Sequence, residues 1–315
     1  LKPQMPYKDN RFTLDNSYGL PKATMDIPEG MEVQNTGKVF VIGKVTGTGA
    51  LGGLVDFGNG VSGYNTWKVG NETNYRWSGK VTGTSTAFVK IGSGKLTVDG
   101  NWDNTGSVKV AEGELCLSSG KVIGTGAVVV DKDACLSGVT GTTALTNSSF
   151  TINGELVVGA FANATSGKIN FGGKNVTISS TGKYVVGKGS YSNTTIENVN
   201  TLTINGTVEV VLASTYTPKD GDVITLWTAN KFAGTPNYVL PNLPLGMAWD
   251  MSKISEGKLT IVSDPTAIGV VPFGAKYGRN DIYDLKGQLV RKNATSTEGL
   301  PSGVYFRNGK KIVVK

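Results

Sequence analysis

Proline is absent from the 189 residues that separate Pro28 from Pro218. Within that stretch the chain breaks into short runs with apolar residues at alternate positions, such as Leu202 and Ile204 or Val208 and Val210, divided by turns of Gly, Asn, Ser and Thr. Apolar residues at i and i+2 turn one face of a strand inward. Two all-β architectures suit the pattern: a sandwich of hairpins and a parallel β-solenoid. Proline discriminates between them. In a solenoid almost every strand has neighbours on both sides, so a residue without an N–H breaks a ladder bond. A sandwich of this length has edges and loops that tolerate it.

Internal repetition points the same way. "GKVTGTGAL" (43–51), "GKVTGTSTAF" (79–88) and "GKVIGTGAVVV" (120–130) are copies of one unit whose starts are 36 and then 41 residues apart. Half that spacing predicts roughly 20 residues per coil, hence about nine coils and a rod of about 40 Å at about 4.8 Å per strand.

The remaining segments divide by composition. Residues 1–32, with Pro3, Pro6, Pro21 and Pro28, read as an N-terminal cap, and 33–214 as the solenoid. Residues 215–262 hold four of the eleven prolines and two of the five tryptophans. They are expected to cover the last coil, with Trp227, Phe232, Tyr238 and Trp249 packed over its sheet edges. A linker at 263–269 then leads to a small β-sandwich-like domain at 270–315. There "IYDLKGQLV" predicts a hairpin turning at Lys286-Gly287, and "VYFRNGKKIVV" one turning at Asn308-Gly309.

Composition narrows the function classes. The chain has no histidine, which removes the commonest general base and most zinc sites. Its net charge of +7 is localised: nine Lys/Arg against three Asp/Glu from residue 270 onward leave about +1 for the rest. Only Arg11 and Arg76 precede residue 270, so nucleic acid is not an expected partner. No apolar run reaches the roughly 20 residues of a membrane-spanning helix. The chain opens on Leu1 without a signal-peptide pattern, as expected of a mature product or of a piece of a longer protein.

The last 35 residues resemble the C-terminal sorting domain of type IX secretion substrates of the Bacteroidetes. The resemblance rests on "IYDLKGQLV", a spacer and "GLPSGVYFRNGKKIVVK" at the chain end. The matching positions include Tyr283, Asp284, Leu285, Gly287, Val290, Gly303, Val304, Tyr305, Asn308, Gly309, Lys310 and Lys315, with Gln288 where the family often has Arg. The segment from "NTWKVGNETNYRW" to "GKVIGTGAVVV" is similar to the passenger repeats of autotransporter-type solenoids. Together these resemblances imply a right-handed β-helix, an extracellular or outer-surface location and recognition of the tail by export machinery. They imply no single activity.

Candidate sites are few. The acidic pairs Glu112/Glu114, Asp131/Asp133 and Asp220/Asp222 have the spacing of solvated turns rather than of a hard-cation site. No acid/base set, metal site or cofactor is expected. Tyr64, Trp67, Tyr75 and Trp77 fall within fourteen residues; exposed in a row they would stack on sugar faces, and otherwise they pack inside the first coils. Cys116 and Cys135 lie 19 residues apart, about one coil, and are expected to be a small apolar thiol pair rather than a disulfide. The expected function is an exported stalk, scaffold or adhesin that is non-catalytic in this stretch and contacts glycans or cell-surface molecules. The alternatives are the non-catalytic C-terminal part of a polysaccharide-degrading enzyme and a free-standing carbohydrate-binding protein.

Overall fold

A computed structural model describes residues 11–14, 19–35, 39–53, 65–138, 144–159, 167–190, 193–264, 281–285, 287–307 and 310–314. The chain forms two compact units. The larger is a parallel β-solenoid of about eight turns, one fewer than the repeat spacing predicts. Ten parallel strands make one sheet, beginning with Leu20–Ile27 and Val39–Gly47 and ending with Lys168–Ile178, Thr195–Ile204 and Trp227–Ala233. In the first rungs the chain alternates between this sheet and a four-stranded one that starts at Arg11–Leu14. In later rungs the partner is an eight-stranded sheet running from Tyr75–Trp77 to Asn237–Val239.

The register explains why alternating short strands produce this fold. Phe40, Trp67, Phe88, Val108, Val128, Phe150, Val176, Leu202 and Phe232 are successive partners in one column of the ten-stranded sheet. In the eight-stranded sheet Tyr75, Leu96, Leu115, Leu136, Leu156, Tyr184, Val208 and Tyr238 form another. Most of these side chains are completely buried. Each burial contributes roughly 1.5–3 kcal/mol, and a one-residue slip would turn the whole set outward. Aromatic rings interlock along the interior, with centroids 4.5 Å apart for Phe88 and Trp102 and 4.6 Å for Phe150 and Phe171.

Buried asparagines turn the corners. Asn104 and Asn147 are fully buried. The Asn104 amide donates to Thr86 O at 2.9 Å and Gly106 O at 3.2 Å, and that of Asn147 donates to Ile123 O and Gly126 O, both at 2.9 Å. Where the backbone changes direction its carbonyls leave the ladder, and a short side-chain amide inside the bend supplies the missing donor.

Both segments read as caps supply rungs. Leu20–Ile27 pairs with Val39–Gly47, and Arg11–Leu14 with Glu32–Asn35. At the other end Trp227–Ala233 pairs with Thr195–Ile204, and Asn237–Val239 with Thr207–Leu212. Trp227 and Phe232 stack at 4.8 Å within that terminal rung. Trp249 lies in the second unit, on a strand whose residues Met247–Asp250 pair antiparallel with 260–263.

The second unit also contains a four-stranded antiparallel sheet in the order Leu289–Arg291, Ile282–Tyr283, Gly303–Arg307, Lys310–Val314. Ile282, Ala294 and Tyr305 form its core, with Leu300, Ile312 and Val314 packed against them. Among the described residues, no helix is long and apolar enough to cross a membrane.

Candidate functional site

Alternation decides the fate of the aromatic cluster. In the strand Asn65–Val69, Asn65, Trp67 and Val69 point inward while Thr66 and Lys68 are partly exposed; in Tyr75–Trp77 only Arg76 faces solvent. The Trp67 indole is wholly buried and donates to Gly52 O at 2.9 Å. Trp77 is buried against Trp102 at 5.9 Å. Burial raises the Tyr75 phenol above its ordinary pKa, and the Lys44 ammonium lies 5.5 Å from its ring. These three rings belong to the interior, so none presents a face on which a sugar would stack. Tyr64 lies outside the described residues.

The acidic pairs are engaged by their neighbours. Glu112 Oε2 accepts from Gly92 N at 3.1 Å, and Glu114 Oε1 pairs with Lys95 at 3.2 Å and accepts from the Ser137 hydroxyl at 2.5 Å. Asp131 pairs with Lys109 at 2.7 Å, and Asp133 occupies a turn with φ 65°. Asp220 accepts from Ser263 N at 2.6 Å, and Asp222 from Lys219 N at 2.9 Å. Among the described residues no three His, Cys, Asp or Glu side chains converge.

The outer face of the eight-stranded sheet carries ion pairs between rungs. Lys183 bridges Glu155 at 2.6 Å and Glu209 at 3.3 Å. Arg76 binds both oxygens of Asp99, at 2.8 and 2.7 Å, and Asp99 also accepts from the Ser118 hydroxyl. Burial opposes ionisation of Asp99, but Ser118 and Arg76 outweigh it and hold the carboxyl below the usual range. On the same sheet Cys116 is opposite Ser137, and Cys135 is opposite Glu114. The two sulfurs are therefore offset by two residues rather than stacked, and both are thiols. Burial, with Glu114 and Glu155 nearby, pushes the Cys135 thiol up to about 12.

In the C-terminal sheet the sorting-motif positions have identifiable structural roles. Asp284 Oδ1 accepts from Gln288 N at 2.8 Å and its carbonyl from Gly287 N at 3.0 Å, while Gly287 takes φ +74°, which favours glycine. These bonds close the first hairpin where the sequence predicts it. Tyr305 fills the core and donates its hydroxyl to Pro301 O at 2.9 Å. The pair Arg307–Lys310 leaves only Asn308 and Gly309 to connect the second hairpin. Leu285 is 64% exposed, and Gly303 pairs with Val314 at the far end of the sheet. Asn308, Gly309 and Lys315 lie outside the described residues. Register puts Tyr283, Leu289, Val304, Phe306, Lys311 and Val313 together on the face opposite the core, and Leu289, Phe306 and Val313 are exposed there.

One interior group escaped the sequence reading. Lys90 is fully buried, at an inward position of the strand Thr86–Lys90. The alternation Thr86, Phe88, Lys90 already marks it as inward, so the signal was present.

No protein-family model matches this chain, and no curated protein is detectably similar to it in sequence.

Proposed function

We propose that this chain is the stalk or scaffold portion of an exported surface protein, non-catalytic in these residues, with residues 270–315 acting as its export address. The observation that carries the scaffold reading is the continuous in-register core from the strand Leu20–Ile27 to the strand Trp227–Ala233. Ten strands at about 4.8 Å separate its ends by about 43 Å. A quasi-one-dimensional stack of this kind spaces whatever is attached to its ends and holds side chains in fixed rows.

The address reading is supported by the resemblance of the tail to sorting domains, and by the distinct sheet into which it folds. Its partner is then an outer-membrane export machinery, and its location the cell exterior. An adhesive role would draw on the outer faces, since Trp67, Tyr75 and Trp77 are interior.

Cell fractionation in a bacterium that carries type IX export tests the proposal. The full chain is expected outside the cell, and a chain ending at residue 263 is expected to stay within. Equal distribution of the two would remove the address reading. The scaffold reading would fall if the exported chain lacked the cooperative β-sheet melting of a continuous stack.

A further inference from the structure

We propose that Lys90 is a register pin, a buried ammonium that selects the correct stacking of three consecutive rungs at the expense of stability. The column that contains it runs Ile42, Val69, Lys90, Val110, Val130, Ile152, Ile178, Ile204. Every other member is apolar and β-branched. If the strand Asn65–Val69 stacked directly on Val108–Val110, skipping a rung, valine would meet valine in this column without penalty. The near-identical repeats at 43–51, 79–88 and 120–130 add to that degeneracy. Packing alone discriminates poorly between rungs; a polar group that finds partners in one register only discriminates well.

The surroundings fit an ammonium in this rung and no other. Nζ donates to Ile91 O at 2.8 Å, to Gly92 O at 2.7 Å and, across to the next rung, to Glu112 O at 3.2 Å. Three donors meet three carbonyls. Glu112 closes the same corner a second time, since its carboxylate accepts from Gly92 N at 3.1 Å. On the preceding rung Gly70, at φ +143°, carries no side chain; a Cβ there would lie 1.8 Å from Ile91 O and 3.3 Å from Lys90 Nζ. Three consecutive rungs thus contribute Gly70, Lys90 and Glu112 to one corner. The carboxylates acting on the ammonium are those of Glu112 and Glu114, whereas Lys68 and Lys109 occupy outward positions of the adjacent strands.

The test compares wild type with Lys90→Met at pH 7, reading chemical unfolding and amide hydrogen exchange together. Methionine replaces the buried ion with an apolar chain of similar length, so the global unfolding midpoint is expected to stay or rise. Amides of residues 91–94 and 111–114 are expected to lose protection by about tenfold or more, while those of 195–212 stay unchanged. Two outcomes overturn the proposal. Unchanged protection at the corner would mean that Lys90 holds nothing in place. A fall in midpoint and protection together, including failure to fold, would make Lys90 an ordinary stabilising contact rather than a pin.

Discussion

The rings of Phe88 and Trp102 meet inside the solenoid with their centroids 4.5 Å apart, and Trp77 approaches Trp102 from the other side at 5.9 Å. Three aromatic side chains from consecutive coils fill a section of the core that aliphatic residues fill in later coils. Trp102→Ala should therefore destabilise the protein by about 3–5 kcal/mol, read as a drop in the urea midpoint by far-UV circular dichroism.

The indole nitrogens separate two otherwise similar tryptophans. Trp67 donates to Gly52 O, whereas the N–H of Trp102 has no hydrogen-bond partner among the described residues. Trp67→Phe leaves a buried carbonyl without its donor, and Trp102→Phe does not. The first substitution should be the more costly by about 1 kcal/mol or more in parallel urea titrations.

Lys90 makes stability depend on alkaline pH. Burial, only partly offset by Glu112 and Glu114, lowers its pKa from 10.5 to about 8. Below pH 8 both folded and unfolded chains hold the proton, and the burial penalty is fully present. Between 8 and 10.5 the unfolded chain binds a proton that the folded chain has released, so stability rises with pH. The gain of wild type relative to Lys90→Met between pH 7 and pH 10.5 should approach about 3 kcal/mol in urea unfolding, and a flat difference would contradict it.

The bridge of Lys183 between Glu155 and Glu209 lies at the half-exposed surface. Lys183→Gln should cost less than about 1 kcal/mol, and the difference should shrink further in 1 M salt. Thermal melts of both proteins at low and high salt check this.

Neither cysteine should react with iodoacetamide at pH 8 in the folded protein. Cys116 is buried, and the Cys135 thiol, pushed up to about 12, holds almost no thiolate at that pH. Both should label in urea, as counted by intact mass. A mass two units lighter after purification in air would show a disulfide that the two-residue offset between them opposes.

Much of this was legible in the chain, for reasons particular residues make plain. Alternation put Trp67, Trp77, Leu202 and Ile204 inside, and every one is buried. The Gly287 turn and the two-residue link at Asn308-Gly309 follow from local backbone preference. The repeats were a less direct guide. Copies two and three occupy one column two rungs apart: Asp103 N donates to Val81 O, and Trp102 bridges to Ile123. The first copy is shifted, because its last residue, Leu51, pairs with Val81 near the start of the second. Rungs also vary in length, from 20 residues between Val108 and Val128 to 30 between Leu202 and Phe232, which is why the coil count came out one too high.

By itself the sequence determined the all-β class, the parallel stacking and the inward face of nearly every strand. These depend on period and on the absence of proline, which act within a few residues. Only the tertiary structure decided that the two proline-bearing ends complete the sheets, that Cys116 meets Ser137 rather than Cys135, and that Lys90 finds three carbonyls at one corner. Those outcomes depend on which rung lies next to which. That is a matter of register between residues 20 or more apart, and local pattern carries little information about it.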